Sequence, residues 1–349
     1  MNSFAYYRLP YGKQYTVFEQ TEGEPEEIFS LSSLNGKAGF VIAPFKPSQK
    51  EPVLLLRPDR IINKAVPDSP YFPVKAYRKC LEEEKVLYSN AFSSFHDRIY
   101  NGSFEKIVLS RKSVLLPEKP LSLESLFIEA CRLYPSMFVT LFSTLKSGVW
   151  LLATPEVLLE GKGKDWTTIA LAGTMKKEKK ASEMLEEWSE KNIREQKYVA
   201  SYIQERIGGF TRQLEMKGPY EVLAGELSHL RTDFSFRLEN LGILGDLLDA
   251  LHPTPAVCGI PKAETMDFII KNEASSRKYF SGFSGIIDPS DQTCIYVNLR
   301  CMKILDSYCE LYAGGGLVRQ SEERQEWEET EAKMNTMMRL FNMEALNRV

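Results

Sequence analysis

Residues 138–174 read FVTLFSTLKSGVWLLATPEVLLEGKGKDWTTIALAGT, and they decide the fold class. Four runs rich in apolar, β-branched and aromatic residues, FVTLFST, GVWLLAT, EVLLEG and WTTIALAGT, follow one another with short turns such as Lys146-Ser147-Gly148 and Gly161-Lys162-Gly163. Runs this short, punctuated by glycine, predict strands rather than helices. Turns of this length force the joined strands to run antiparallel. The stretch therefore predicts an antiparallel meander.

Working outward, KIVLSRKSVLL (106–116) reads as a further strand and SLESLFIEACRL (122–133) as a helix with Ser122 as its N-cap. KAGFVIAPF and PVLLLRPD give short strands in the first 60 residues, and 74–98 has the look of a helix. After the meander a long charged helix is expected from about Ser182 to beyond Ile207, with shorter helices near Asn240–Leu251 and Lys262–Asn272. A hairpin of CIYVNLRCMKIL and CELYAGG follows, then a last helix from Ser321 to about Phe341. Strict alternation of strand and helix is missing, and so is any internal repeat. An α+β layered fold is expected in place of a doubly wound one.

At 349 residues, 43% hydrophobic and 26% charged, the chain can bury a large core without staples. Its 44 basic and 47 acidic residues leave a net charge of -3 and no basic stripe to neutralise phosphates, which argues against a nucleic-acid partner. The start, MNSFAYYRLPYGKQY, has neither the basic nor the apolar region of a secretory signal, and no run nears the roughly 18 apolar residues of a membrane span. A cytoplasmic protein that keeps clear of membranes is expected. Cys80, Cys131, Cys258, Cys294, Cys301 and Cys309 form no C-x-x-C pair and read as reduced, buried thiols. With only His96, His229 and His252 available, zinc or a serine–histidine triad has little material, so carboxylates and lysines should carry any chemistry.

In the last helix Glu326, Glu329 and Lys333 share a stripe beside the apolar face of Trp327, Thr330, Met334, Met337 and Phe341. The plainer reading is a surface Glu–Lys pair at i, i+4, of little energetic weight. The sharper one is a pair of inward carboxylates that need a cation. Glu195 shares a face with Val199 and Tyr202, so two helices each offering an inward glutamate would make a magnesium site of oxygen ligands. Lys106 points the way of Val108 and Ser110, either into the core or, as first residue of its strand, into water. Glu156 follows Pro155 at a strand mouth, where polar side chains often just mark an edge. Gly314, Gly315 and Gly316, directly after a strand, let backbone N–H groups approach an anion, or simply make a turn; no G-x-G-x-x-G fingerprint is present. Arg300, in an otherwise apolar strand, is either a carboxylate clamp or half of a structural ion pair.

Taken in order, KIVLSR (106–111), TPEVLLEG (154–161), LAGT (171–174), SEKNIREQKYV (189–199), LHPTPAVCGIPK (251–262), FSGFSG (280–285), NLRCMK (298–303), YAGGGLV (312–318) and EWEETEAKM (326–334) resemble the chorismate-utilising enzymes. The likeness spans 106–341 as a family core and leaves 1–100 as a less typical N-terminal part of one catalytic unit, 1–349. It implies the fold of anthranilate synthase component I: a large twisted antiparallel sheet wrapped by helices, the site in a cleft near its centre. It also implies roles. Lys106 would be the general base toward water and Glu156 the general acid for the departing hydroxyl. Glu195 and Glu329 would bind Mg2+, with Glu326 helping. Arg300, Lys333 and the backbone of Gly314 to Gly316 would hold substrate carboxylates, while Gly173, Thr174 and His252 line the pocket. Such an acid needs a raised pKa to work near neutrality.

Within that family the resemblance points to the isochorismate synthases, of menaquinone or siderophore type. Relatives that use ammonia generally carry glutamine at the position of Lys106, and aminodeoxychorismate synthases a lysine at the position of Ala172. Water as nucleophile and no glutamine amidotransferase partner are therefore implied, with monomer and homodimer both open. Salicylate synthases, which go on to eliminate pyruvate, are the competing reading. His252, Ala256 and Phe280 lean toward an enzyme that stops at isochorismate.

Overall fold

The computed structural model describes residues 3–68, 70–79, 81–176, 188–224 and 227–344. The four runs of 138–174 are four strands, Phe138–Thr144, Gly148–Thr154, Val157–Lys162 and Asp165–Lys176, yet they do not form one meander. The first two pair antiparallel in one sheet and the last two in another, so the chain crosses between sheets at Pro155-Glu156. A proline, which cannot donate to a ladder, stands where the pairing has to stop.

A second crossing splits the run 294–305, which reads in sequence as a single strand. Gln292–Val297 belongs to the second sheet and Cys301–Ile304 to the first, with Arg300 between them at φ +47°. The two crossings are stitched together: Val297 N–H donates to the Glu156 carbonyl (2.9 Å), and Ala153 N–H to the Arg300 carbonyl (3.2 Å).

The first sheet runs Asn342–Glu344, Lys75–Lys79, Lys106–Pro117, Cys309–Leu317, Cys301–Ile304, Gly148–Thr154, Phe138–Thr144, Ser3–Arg8, Gln14–Gln20, Arg60–Ala65. The second runs Leu214–Ala224, Leu227–Arg237, Asp165–Lys176, Val157–Lys162, Gln292–Val297, Phe283–Ile287, Gly39–Ala43, Val53–Leu56, Glu26–Ile28. Pairing along both is antiparallel except where Asn342–Glu344 meets Lys75–Lys79. The N-terminal hundred residues supply edge strands to both sheets. The α+β expectation holds, with the strands divided between two sheets.

The sheets face each other across an aromatic core in which Tyr7, Phe40, Phe138, Phe142, Trp150 and Tyr296 are buried, and the rings of Phe138 and Tyr296 stack at 4.3 Å. Each such side chain contributes about 1.5–3 kcal/mol on burial. Among the described residues six α-helices wrap the outside: α1 (Leu81–Tyr100), α2 (Leu123–Leu133), α3 (Glu190–Gly208), α4 (Leu244–Leu251), α5 (Lys262–Asn272) and α6 (Glu323–Met338). α3 and α4 press Val199, Ile203, Leu247 and Leu248 onto the second sheet, and α2 and α6 press Phe127, Met334 and Met337 onto the first. None of the described helices is long and apolar enough to cross a membrane.

Residues 75–79, expected as helix, are a strand instead. They pair with Val114–Pro117, where a sheet neighbour outweighs local propensity, and the helix begins only at Leu81 with Glu82, Glu83 and Glu84 against its positive end. The expected start of the long helix, 182–187, lies outside the described residues, as does Cys80; α3 opens at Ser189, whose side chain accepts from Asn192 N–H. The other five cysteines are buried free thiols.

α6 is pinned to the strand that carries Lys106. Arg111 Nε donates to Thr330 Oγ1 (2.7 Å), its guanidinium pairs with Glu331 and Glu84, and it lies 3.7 Å from the Trp327 ring centroid. That network fixes the helix bearing Glu326, Glu329 and Lys333 over the sheet.

Candidate active site

The two crossings, the strand pair Lys106–Pro117 and Cys309–Leu317, and the inward faces of α3 and α6 enclose one cavity. Glu156, Gly173, Thr174, Glu195, Arg300, Gly314, Gly316 and Lys333 all line it. Lys106, Gly315, Glu326 and Glu329 are not part of that lining; Lys106 meets it through Glu195 and Glu329 through Lys333.

Lys106 is completely buried, not in solvent, because Gly259–Ile260 pairs over its end of the strand and Gly316 backs it. Its Nζ lies 3.0 Å from Glu195 Oε1 as an ion pair, but the approach lacks hydrogen-bond alignment, and among the described residues Nζ has no hydrogen-bond partner. Glu326 is fully buried and pairs with Lys191, and Glu329 pairs with Lys333 at 2.6 Å. Lys333 also donates to the Gly314 carbonyl at 2.8 Å. Each of the three carboxylates thus holds one lysine.

The glycine run has a sharper purpose than a turn. A Cβ on Gly316 would overlap the Glu195 carboxylate and crowd Lys106 Cε, and one on Gly315 would reach within 2.9 Å of Glu326 Oε2 and 3.9 Å of Glu329 Oε1. The strand surface is bare so that the carboxylates can close over it. Among the described residues Glu326 Oε2 is buried with no hydrogen-bond partner. Burial and the neighbouring Glu329 charge push the Glu326 carboxyl up, whereas at Glu329 burial is outweighed by Lys333 and Lys191 and the carboxyl is held down. Among the described residues no three His, Cys, Asp or Glu side chains stand in ligating geometry with the lysines in place. As donors, three carboxylates with one orphaned buried oxygen fit a hard dication.

Glu156 occupies the first crossing, its carbonyl tied to Val297. Burial pushes its carboxyl up to about 7, against the pull of Lys106, Lys333 and Arg300. Arg300 occupies the second crossing; burial lowers its guanidinium to about 10, so it remains a cation.

His229, which sequence reasoning passed over, is the histidine at the cavity. It stands opposite Thr174 in the ladder, its Nδ1 3.2 Å from the Gly173 carbonyl and its Nε2 3.1 Å from the Arg300 guanidinium. Burial and the Arg300 charge lower it to about 3, so the ring is neutral, with Nδ1–H donating to Gly173 and Nε2 accepting from Arg300. Gly173 makes this possible by taking φ +73° at a bulge between Ala172 and Thr174. His252 is placed elsewhere. It caps α4, and its Nε2 turns to the carbonyls of Pro44 and Phe45, both at 3.2 Å, away from the lining. Lys191 was also missed, although it sits one helical turn before Glu195; so was Ser281, which lines the cavity beside Phe280 and Tyr312.

The chorismate binding enzyme family model matches residues 55–342. Isochorismate synthase MenF of Escherichia coli strain K12 is 30% identical over 251 residues, covering 70% of this chain and 58% of that protein. Isochorismate synthase DhbC of Bacillus subtilis strain 168 is 29% identical over 273 residues, covering 74% and 68%. The solved structure of the menaquinone-specific isochorismate synthase MenF from E. coli superposes with a TM-score of 0.82 at 22% identity, over 97% of this chain and 89% of that one. Anthranilate synthase component I from Streptococcus pneumoniae TIGR4 superposes at 0.69 and 16% identity, over 96% and 89%, which places the fold in the same class. The chain thus matches little more than half, 58%, of the E. coli MenF sequence. With a family match that covers most of its length and every residue that lines the cavity, this chain belongs to the chorismate binding enzyme family.

Proposed function

We propose that the protein converts chorismate to isochorismate with magnesium bound, Lys106 serving as general base and Glu156 as general acid. The observation that carries this is a pairing around one cavity. A wholly buried lysine with no hydrogen-bond partner among the described residues stands next to the lining residue Glu195, and a carboxyl that keeps its proton up to about pH 7 lines the same cavity.

Water attacks C2 of the ring while Lys106, acting as the neutral amine, takes its proton and becomes the ammonium. The ring double bonds shift, the C4–O bond breaks, and Glu156 delivers its proton to the departing oxygen, which leaves as water. No net oxidation occurs. Arg300, fixed by neutral His229, and Lys333, fixed on Gly314, hold the substrate carboxylates in a cavity that keeps bulk water out. Glu195, Glu326 and Glu329 would hold the magnesium, and bound there it would supply positive charge to a substrate carboxylate. Until then Lys191 and Lys333 balance Glu326 and Glu329, and Lys106 stays beside Glu195.

Lysine at 106, where a neutral amide would suit ammonia, supports water as nucleophile and a protein that acts without an amidotransferase. Ala256 and Phe280 both line the cavity, which supports release of isochorismate over onward elimination to salicylate. The test is Lys106→Gln. It should abolish turnover while circular dichroism stays native, and wild-type rates in that variant would overturn the assignment.

A further inference from the structure

In and around the cavity, Lys106 Nζ, Glu326 Oε2 and Ser281 Oγ are buried without a hydrogen-bond partner among the described residues. Native proteins rarely leave such groups unsatisfied, because each costs about 1–3 kcal/mol. The first two belong to groups whose chemistry explains them. Ser281 has no such explanation.

Ser281 is completely buried, lines the cavity and adopts φ +62°, a conformation that L side chains with a Cβ seldom take. The backbone there is held rigidly. Ser281 N–H donates to the Asn298 carbonyl (2.9 Å), Asn298 N–H to the Gly282 carbonyl (2.8 Å), Asn298 Nδ2 to the Tyr279 carbonyl (3.0 Å), and Ser284 Oγ to Asn298 Oδ1 (2.7 Å). Glu156 is tied to the adjacent residue, Val297. Ser281 and Glu156 therefore hang from the same short segment between the sheets.

We propose that Ser281 is a substrate-binding residue whose hydroxyl engages the ring hydroxyl that Glu156 protonates. This rests on the reading of the substrate as chorismate. The substrate's carboxylates find cations and backbone amides at Arg300, Lys333 and the glycine run, which leaves the neutral hydroxyl with Glu156 alone and further hydrogen-bonding capacity unfilled. A serine both donates and accepts, and so matches an oxygen that is first a hydroxyl and then a departing water.

The test measures dissociation constants in the turnover-silent Glu156→Gln background, with and without Ser281→Ala or Ser281→Gly. Ligands are chorismate and its analogue lacking the 4-hydroxyl, both with magnesium present. Loss of one neutral hydrogen bond should weaken chorismate about five- to tenfold in both serine variants and leave the analogue within about twofold. Glycine takes φ +62° without strain, so the second variant keeps the fold even where alanine destabilises it. Unchanged chorismate affinity in both variants, or equal weakening of both ligands, overturns the proposal. The product formed by wild-type protein is identified separately. A product other than isochorismate would overturn the reading of the reaction, while the affinity ratio still decides the role of Ser281.

Discussion

Glu156→Gln separates the acid from the shape of its side chain, since glutamine keeps the volume and loses the proton. Burial holds the Glu156 carboxyl at about 7 against an ordinary 4.5. At about 1.4 kcal/mol per pH unit, that rise favours the protonated form in the fold by about 3 kcal/mol. The unfolded chain releases this proton near pH 4.5 and the folded chain near 7, so between those values the native state binds more protons and stability falls as pH rises. Below that window the group contributes no difference, and above it the whole penalty applies. Relative to Glu156→Gln, the ligand-free wild type should therefore lose about 3 kcal/mol between pH 4.5 and 8, read by urea denaturation of both proteins across that range. The same titration gives wild-type kcat/KM a basic limb that falls about tenfold per pH unit above about 7. A stability difference that stays flat from pH 4.5 to 8 would refute the claim that the fold holds this carboxyl protonated. Sustained turnover by the variant would refute its role as the acid.

Glu195→Ala should raise the magnesium concentration needed for half-maximal rate by about tenfold or more, and a chelator should silence the wild type; activity indifferent to chelation would remove the metal from the mechanism. Gly316→Ala drives a methyl group into the Glu195 carboxylate and Lys106 Cε. It should cost about 1–3 kcal/mol of stability in thermal unfolding and about 100-fold in kcat, and a normal rate would mean the carboxylates do not need that bare strand.

The strands of 138–174 were legible because their short β-rich apolar runs and glycine turns are local signals. Their division between two sheets was not, since nothing in TPEV announces that one side of Pro155 pairs with Cys301–Ile304 and the other with Gln292–Val297. The same blindness hid the crossing at Arg300, where a run that reads as one strand turns through φ +47°. Glu195, Glu326 and Lys333 showed through helical spacing against apolar faces, a pattern that survives folding intact. Lys106 could not be placed from periodicity alone, because burial at a strand's first residue depends on Gly259–Ile260, about 150 positions away. His229 and His252 exchange importance for a similar reason. Which histidine meets the cavity is set by the register of Leu227–Arg237 against the Gly173 bulge, a long-range pairing with no local signature.

The most direct measurement is to incubate the purified protein with chorismate and magnesium, without ammonia, and identify the product by chromatography. Isochorismate alone is the expected outcome. Salicylate with pyruvate would show that the cavity carries the reaction onward, and anthranilate formed only on adding ammonia would contradict the assignment of water and Lys106 as the reacting pair.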